Sequence, residues 1–284
     1  MTYRECYEKG CHILNEAGIE ESTLDARLLL EAVCGTDRND LLAHGEQPVM
    51  SQAEEKYLNW IRQRAEHIPL QQLTGEQDFM GLTFSVNEHV LIPRQDTEIL
   101  VEEVLKELHD RMRILDMCTG SGCILLSLLH YSNDCEGLGV DLSAEALEVA
   151  GRNVLKVLTQ EKSEHAHFLQ SDLFEKVEGK FEIIVSNPPY IASAEIEKLM
   201  PEVRDHEPRM ALDGTEDGLH FYRRIIKEAG KHLVNSGMLF FEIGYDQGQA
   251  VSELMRAQGY REVQVVQDYA GLDRVVLGTY CERN

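Results

Sequence analysis

The segment 187–190 combines groups that could hold a planar nitrogen group, since it reads Asn-Pro-Pro-Tyr. The two prolines, Pro188 and Pro189, lack backbone N–H donors and have a fixed φ, so they present carbonyl oxygens from a rigid turn. Asn187 adds a side-chain carbonyl acceptor, and Tyr190 adds an aromatic face. The N–H bonds of a substrate NH2 could go to Asn187 Oδ1 and the Pro188 carbonyl, with Tyr190 stacked on the plane. The segment therefore predicts a binding site for an amide or amine nitrogen. An ordinary proline-rich turn is the alternative interpretation.

A glycine loop earlier in the chain could bind a nucleoside. It follows a predicted strand, reads Asp-Met-Cys-Thr-Gly-Ser-Gly and leads into a predicted helix. Its glycines allow a sharp turn and a close approach to a ligand. Leu125 stands where a dinucleotide fingerprint has its third glycine, which disfavours NAD. The expected cofactor contacts in this loop are Asp116, Cys118, Thr119, Gly120, Ser121 and Gly122.

Acidic residues follow the next two predicted strands. Asp141, at the tip of the second strand, could accept hydrogen bonds from both ribose hydroxyls, although a helix cap is the alternative interpretation. Asp172, after the third strand, could accept from an exocyclic amine such as that of adenine, while Leu173 packs on the ring. Together with the glycine loop, these strand ends predict a nucleoside site.

The charge of this pocket indicates which nucleoside it binds. S-adenosylmethionine carries a sulfonium cation and no phosphate, so a glycine loop that lacks the P-loop lysine and is followed by acids suits it better than ATP. We therefore expect S-adenosylmethionine as the cofactor, S-adenosylhomocysteine as the product, and in-line methyl transfer to the held nitrogen. Such a transfer needs positioning more than acid–base catalysis, because the leaving group is a neutral thioether. Asn187, Pro188 and Tyr190 are the expected catalytic residues, and Asn187 should also contact the cofactor.

These groups can meet only at the edge of a parallel sheet. From Ile92 onward, short apolar strands alternate with helical stretches, which predicts an α/β, Rossmann-like sheet covered by helices on both faces. The last two strands have no helix between them and should pair antiparallel. The seven expected strands lie at 113–117, 137–141, 167–170, 181–186, 238–243, 262–267 and 274–280. The expected methyltransferase domain is 92–284.

The first part of the chain has a different pattern. Residues 1–67 predict a small helical bundle, with a capping box at 22–25 and a stop at Gly35. Residues 68–91 predict a β-hairpin linker. The bundle is either a stabilising cap or a module that recognises a partner protein. Our working assignment is recognition of the substrate protein.

The composition disfavours several classes of protein. Lys and Arg number 27 against 50 Asp and Glu, and the net charge of −23 offers no cationic surface for a phosphate backbone, so we expect no direct nucleic-acid contact. The seven cysteines include no C-x-x-C pair and the histidines lack ligand spacing, so we expect free thiols and no metal. Without a signal segment or an apolar run that could span a bilayer, we expect a cytoplasmic protein with no membrane contact. A monomer is the expected state.

Further motifs carry a family resemblance. Residues 91–98, Leu-Ile-Pro-Arg-Gln-Asp-Thr-Glu, resemble the L-I-P-R-P-D/E-T-E motif of the glutamine-N5 methyltransferases of peptide-chain release factors (PrmC/HemK). Residues 207–214, 218–224 and 241–244 also resemble segments of that family. The similarity extends from the N-terminal helical domain through the hairpin to residues 274–278. It therefore covers nearly the whole chain.

This resemblance implies a substrate. In that family the methyl acceptor is the glutamine of a Gly-Gly-Gln loop in release factors, so residues 187–190 would bind its amide. The resemblance also implies that the loop 118–122, Asp141 and Leu173 line the cofactor site. A sister family that modifies a ribosomal protein lacks the Asp-Thr-Glu found here at 96–98, which favours release factors. For Arg94 and Arg209, a structural ion pair and a contact with the substrate loop are both open.

Two departures from the family pattern leave alternatives. Cys118 stands where relatives usually have the first loop glycine, and Gln95 replaces a proline. The Cβ of Cys118 could crowd the methionine moiety or demand a negative φ. The alternative functions are an amino-methyltransferase of DNA or RNA, which the acidity disfavours, a methyltransferase of a ribosomal-protein glutamine, and a non-catalytic binding protein of the same fold.

Overall fold

The structure, a computed structural model, describes residues 1–282 of the chain, which form two compact units. The first unit contains Met1–Gly75 together with Met200–His206. The second contains Glu76–Leu199 and the chain from Glu207 onward. Within the described residues, no helix is both long enough and apolar enough to cross a membrane.

The first unit is helical. A buried cluster that includes Leu14, Leu29, Tyr57 and Ile61 joins its helices. The Pro201–His206 segment also belongs to this unit. The N-terminal helices are α1 (Tyr3–Glu16), α2 (Ser22–Cys34), α3 (Arg38–Ala43), α4 (Ser51–Ala65) and α5 (Leu70–Thr74).

The expected capping box at 22–25 is wrong. Helix α2 begins at Ser22 itself and makes no side-chain cap hydrogen bond. The Asp25 carboxylate cannot reach back to the helix start, because it accepts a 2.7 Å hydrogen bond from the buried Arg64 guanidinium. The unit instead has its capping box at α1, where Thr2 and Glu5 bond to each other's backbone N–H groups. Gly35 ends α2 in the left-handed conformation, as predicted.

The predicted hairpin is shorter than the segment 68–91 assigned to it. Residues Leu70–Thr74 are the helix α5, and the hairpin itself consists of β1 (Glu76–Phe79) and β2 (Leu82–Ser85). The turn residues Met80 and Gly81 both have positive φ, which matches the twist of a two-residue hairpin. Tyr131 also contacts this turn, because its hydroxyl donates a hydrogen bond to the Met80 carbonyl at 2.6 Å.

The second unit contains the predicted seven-stranded sheet. The remaining elements of the chain, of which α11 belongs to the first unit, are α6 (Asp96–Glu107), β3 (Arg113–Met117), α7 (Cys123–Tyr131), β4 (Glu136–Asp141), α8 (Ala144–Val157), α9 (Gln160–Ser163), β5 (Ala166–Gln170), β6 (Phe181–Ser186), α10 (Ser193–Ile196), α11 (Pro201–His206), α12 (Arg209–Leu212), α13 (His220–Ala229), β7 (Leu233–Glu242), α14 (Gly248–Ala257), β8 (Arg261–Gln267) and β9 (Asp273–Thr279).

The strand order in the sheet is β5-β4-β3-β6-β7-β9-β8. Five strands are parallel, and β9 runs antiparallel to β7 and β8. The sequence pattern missed α6, which begins at Asp96, inside the motif 91–98.

Successive strand residues enter different hydrophobic clusters. On β3, Ile114 belongs to one cluster and Leu115 to the other, and Ile183 and Ile184 on β6 alternate in the same way. Because strand side chains alternate between the two faces of a sheet, both faces are buried. The central strands are therefore held rigidly, and so are the loops at their carboxyl ends.

Two glycines in helix interiors should respond oppositely to alanine. A Cβ on Gly10 of α1 would collide with the Tyr57 hydroxyl of α4, whereas a Cβ on Gly151 of α8 would meet nothing within 4 Å. We expect Gly10→Ala to destabilise the first unit by roughly 1–3 kcal/mol through overpacking. Gly151→Ala should stabilise the second unit by about 0.5–1 kcal/mol through backbone entropy. Urea unfolding measures both changes, and equal signs for the two variants would contradict the packing described.

Candidate active site

The carboxyl ends of three neighbouring strands meet at one cavity. Met117, the last residue of β3, pairs with Val140 of β4 on one side and with Ser186 of β6 on the other. The residues that follow these strands therefore lie at the same edge of the sheet. They line a cavity of about 370 Å³.

Most of the predicted site residues line this cavity, but four of them do not. The residues that line it are Arg94, Cys118, Thr119, Gly120, Ser121, Asp141, Asp172, Leu173, Asn187 and Pro189. Asp116, Gly122, Pro188 and Tyr190 are absent from the lining, although each adjoins a lining residue in the chain. Lining residues that sequence reasoning did not single out include Val90, Thr97, Ile124, Leu142, Met210 and Phe221.

The glycine loop turns through three left-handed residues. Cys118, Gly120 and Gly122 have φ values of 64, 54 and 78°. The Gly120 N–H donates to Asp141 Oδ2 at 2.9 Å, so the acid after β4 holds the loop after β3. A Cβ on Gly122 would press against Ala150 of α8 at 3.2 Å. Gly122 therefore allows α7 and α8 to pack closely and does not itself contact the cavity.

Cys118 adopts the conformation that its Cβ disfavours. Of the two alternatives for its Cβ, a demand for a negative φ is wrong, since the φ of Cys118 is 64°. A non-glycine residue in this region costs on the order of 1 kcal/mol. Burial raises the pKa of the Cys118 thiol, as do the nearby carboxyls of Asp141 and Asp116. The thiol therefore stays protonated and is a weak nucleophile in the cavity wall.

Asp116 supports the loop from beneath. Its side chain is fully buried, and one carboxylate oxygen accepts a 2.6 Å hydrogen bond from the Thr119 hydroxyl. Its other oxygen has no hydrogen-bond partner among the described residues. Burial raises the Asp116 pKa to about 7, and hydrogen bonding from Thr119 offsets part of that effect.

Asp141 is held in place by two backbone donors. Oδ2 accepts from Gly120, and Oδ1 accepts from Ser143 N–H at 2.9 Å. Ser143, and not Asp141, is the N-cap of α8, since its hydroxyl accepts a hydrogen bond from the Ala146 N–H. A carboxylate oxygen can accept a second hydrogen bond. Asp141 can therefore orient the loop and still accept from a ligand in the cavity.

Asp172 and Leu173 form the next part of the wall. Asp172 makes a 2.9 Å ion pair with Arg224, and both side chains are partly exposed. Leu173 is buried with φ 48°, so its backbone turns sharply after the sheet. Arg224 therefore balances an acid at the cavity edge, which sequence reasoning did not anticipate.

The Asn-Pro-Pro-Tyr segment is fixed at both ends. Asn187 Nδ2 donates to the Thr97 hydroxyl at 3.4 Å, which leaves its Oδ1 for a ligand. The Tyr190 hydroxyl donates to Glu242 Oε1 at 3.1 Å, and its carbonyl accepts from Gln247 Nε2 at 3.0 Å. Burial raises the Tyr190 pKa, and the Glu242 carboxyl raises it further. The phenol therefore remains protonated at neutral pH.

Two glycines permit this backbone path. A Cβ on Gly214 would lie 2.8 Å from Tyr190 Cα, and a Cβ on Gly218 would collide with the Tyr190 carbonyl. Gly218 also has φ 71°. Gly214 lies in the segment 207–214 and Gly218 in the segment 218–224. Their role is to make room for the Asn-Pro-Pro-Tyr segment 187–190, which we call the clamp.

Arg94 forms an ion pair with Glu207, whose side chain is 1% exposed. The ion-pair alternative for Arg94 is therefore realised, although its own side chain is 40% exposed and also lines the cavity. Arg209 pairs with Asp213 at 3.4 Å and lies at the surface. Among the described residues, Arg94 is the one arginine or lysine in the cavity lining.

Three residues that hold the clamp in place were not predicted from the sequence. Thr97 and Glu242 lie in the segments 91–98 and 241–244, which resemble the family but gave neither residue a role. Gln247, at the start of α14, lies outside every motif found in the sequence. Only the contacts of these residues in the folded chain show their part in the site.

The fold and the cavity define a methyltransferase. Residues 5–75 match the PrmC N-terminal domain family, and residues 94–203 match the methyltransferase small domain family. A crystal structure of a methyltransferase from Pyrococcus furiosus has the same fold, with a TM-score of 0.52 and 16% identity over 82% of this chain and all of that one.

Full-length relatives narrow the class. The chain is 40% identical to a release factor glutamine methyltransferase of Clostridium acetobutylicum, over 98% of each chain. It is 43% identical to the protein of that name in Moorella thermoacetica, again over 98% of each. The chain therefore belongs to the release factor glutamine methyltransferase family, which confirms the resemblance seen in its motifs.

The strain at Cys118 can be measured by substitution. Cys118→Gly should stabilise the protein by roughly 0.5–1 kcal/mol, because the relief of positive-φ strain exceeds the entropy that glycine loses on folding. Cys118→Ala keeps the Cβ and should show no such gain. Thermal unfolding should place the glycine variant about 2 °C above the alanine variant. Equal unfolding temperatures would show that Cys118 is unstrained.

Proposed function

We propose that this chain transfers the methyl group of S-adenosylmethionine to the side-chain amide nitrogen, N5, of the glutamine in the Gly-Gly-Gln loop of peptide-chain release factors. The observation that carries the proposal is the meeting of the glycine loop and the Asn-Pro-Pro-Tyr segment at one cavity. Membership of the release factor glutamine methyltransferase family supports the substrate.

The residues of the cavity suit a cationic nucleoside. Asp141 contributes negative charge, Asp172 is balanced by Arg224 at the cavity edge, and the one arginine in the lining among the described residues is paired with Glu207. Ser121 lines the cavity with a buried hydroxyl that has no hydrogen-bond partner among the described residues, so it is available to a ligand. In the bound state S-adenosylmethionine supplies an electrophilic methyl on a positive sulfur.

Each side of the cavity has a proposed part in binding the cofactor. Asp141 would accept from the ribose hydroxyls, while Asp172 and Leu173 would bind the adenine. The loop 118–122, supported by Asp116, would hold the methionine part together with Asn187. Leu142 lines the same cavity and is 55% exposed, so it could cover the adenine from the solvent side.

The Asn-Pro-Pro-Tyr segment has the task of orienting the glutamine amide. Asn187 Oδ1 and the Pro188 carbonyl accept its two N–H bonds, Pro189 forms the wall, and Tyr190 supports the amide plane. With the amide held in this way, S-adenosylmethionine would supply the methyl group to the nitrogen, the electron pair of the carbon–sulfur bond would stay on sulfur, and the nitrogen would lose a proton to water. The carbonyl dipoles stabilise the positive charge that develops on nitrogen.

A protein base is not part of this proposal. Tyr190 stays protonated because burial raises its pKa, so its phenol cannot accept the proton. Arg94, paired with Glu207 at the cavity, is proposed to contact the backbone of the substrate loop. Fixed positions are therefore the main contribution of the chain to the rate.

The remaining assignments concern the whole chain. We propose that residues 1–67 recognise the release factor and that residues 92–284 carry out the methyl transfer. Residues 68–91 are proposed to link these two parts of the chain. We also propose that the protein acts as a monomer in the cytoplasm, where translation supplies its substrate.

Transfer of labelled methyl to purified release factor tests the function. We expect label on the release factor, and mass spectrometry of the tryptic loop peptide should place one methyl on the glutamine side chain. A release factor with alanine in place of that glutamine should take up no label. Equal labelling of that control, or labelling of ribosomal protein or nucleic acid in its place, would contradict the proposal.

A further inference from the structure

Glu242 is a buried acid that the mechanism above leaves without a task. It is the last residue of β7 and is 2% exposed. Burial raises its pKa, while the nearby Thr97 hydroxyl, the charge of Arg274 and hydrogen bonding from Tyr190 lower it. Burying a carboxyl costs free energy, so a carboxyl that is buried here has a role in the structure or in the site.

The Glu242 carboxyl contacts one end of the clamp directly. Tyr190 donates its phenol proton to Oε1 at 3.1 Å. Other bonds fix the same region: Tyr222 donates to the Glu242 carbonyl at 2.9 Å, and Gln247 donates to the Tyr190 carbonyl. The Tyr190 ring is thus held from both its hydroxyl and its backbone.

Thr97 holds the other end of the clamp. Its hydroxyl accepts a hydrogen bond from Asn187 Nδ2 at 3.4 Å. Thr97 is 2% exposed, so water competes little for this bond. Glu242 Oε2 has no hydrogen-bond partner among the described residues, so the carboxyl contacts the clamp through Tyr190.

The direction of these bonds matters. A hydroxyl oxygen can accept a hydrogen bond, whereas the Asn187 NH2 can only donate. Thr97 therefore offers a lone pair to Asn187. That lone pair binds the NH2 of Asn187 and turns its Oδ1 toward the ligand. A reversed amide would present donors to the donors of the substrate.

We propose that Glu242 and Thr97 are positioning residues that set the orientation of the Asn187 amide and the Tyr190 ring. Neither residue touches the reacting atoms in this account. The inference rests on the proposed function, because it assigns the clamp its glutamine substrate.

A pair of substitutions at Thr97 separates the hydroxyl from the packing. Thr97→Val keeps the shape and removes the hydroxyl, whereas Thr97→Ser keeps the hydroxyl. We expect Thr97→Val to lower kcat for methyl transfer on the order of 10- to 100-fold. The dissociation constant for S-adenosylmethionine should change by less than about threefold. Thr97→Ser should retain most of the rate.

Glu242→Gln provides a second variant. A carboxamide can still accept from Tyr190 with its one oxygen, but its NH2 then takes the buried position of Oε2, which has no hydrogen-bond partner among the described residues. We expect a loss of kcat comparable to that of Thr97→Val. Wild-type rates in Thr97→Val, or equal losses in Thr97→Val and Thr97→Ser, would overturn the inference, because the hydroxyl would then have no role.

A measurement without turnover keeps the inference separate from the proposed function. In 15N-labelled protein, the side-chain NH2 signals of Asn187, assigned with Asn187→Ala, should show slowed hydrogen exchange in the wild type and in Thr97→Ser. Thr97→Val should lose this protection. Unchanged exchange in Thr97→Val would overturn the inference. A wild type that does not methylate glutamine, with the exchange pattern as expected, would overturn only the proposed function.

Discussion

The parallel pairing of β3 between β4 and β6 is the constraint on which the rest of the structure depends. It brings three strand ends to one edge, so that the loops after Met117, Asp141 and Ser186 meet around one cavity. Because both faces of the sheet are buried, a one-residue shift in strand register would cost free energy, since it would move every side chain of the strand to the opposite face. The Gly120–Asp141 hydrogen bond then ties two of the loops together.

The cavity also depends on acids that stay buried beside it. Asp116 lies under the glycine loop, and Glu242 lies behind Tyr190, each fully buried with a raised pKa. Burying a carboxyl costs free energy unless it is hydrogen-bonded. The Thr119 hydroxyl donates to Asp116, and the Tyr190 hydroxyl donates to Glu242. These two buried acids therefore hold the glycine loop and the Tyr190 side chain in fixed positions beside the cavity.

The sequence alone predicted the family, the fold class and the seven strands, and these are confirmed. Local patterns sufficed there, because strand periodicity and loop glycines are read from neighbouring residues. The left-handed Cys118, the Asp172–Arg224 pair and the contacts of Asn187 with Thr97 and of Tyr190 with Glu242 could not be predicted in this way. They depend on contacts between residues far apart in the chain. Strand order and strand ends explain which groups meet, but side-chain contacts decide how each group is oriented.

A crystal structure of the protein with S-adenosylhomocysteine and a Gly-Gly-Gln peptide tests the central claim most directly. The account predicts the glutamine side-chain nitrogen at about 3 Å from both Asn187 Oδ1 and the Pro188 carbonyl oxygen. The Asn187 NH2 should still face Thr97. A glutamine bound outside the cavity, or one whose amide oxygen faces Asn187 Oδ1, would contradict the account.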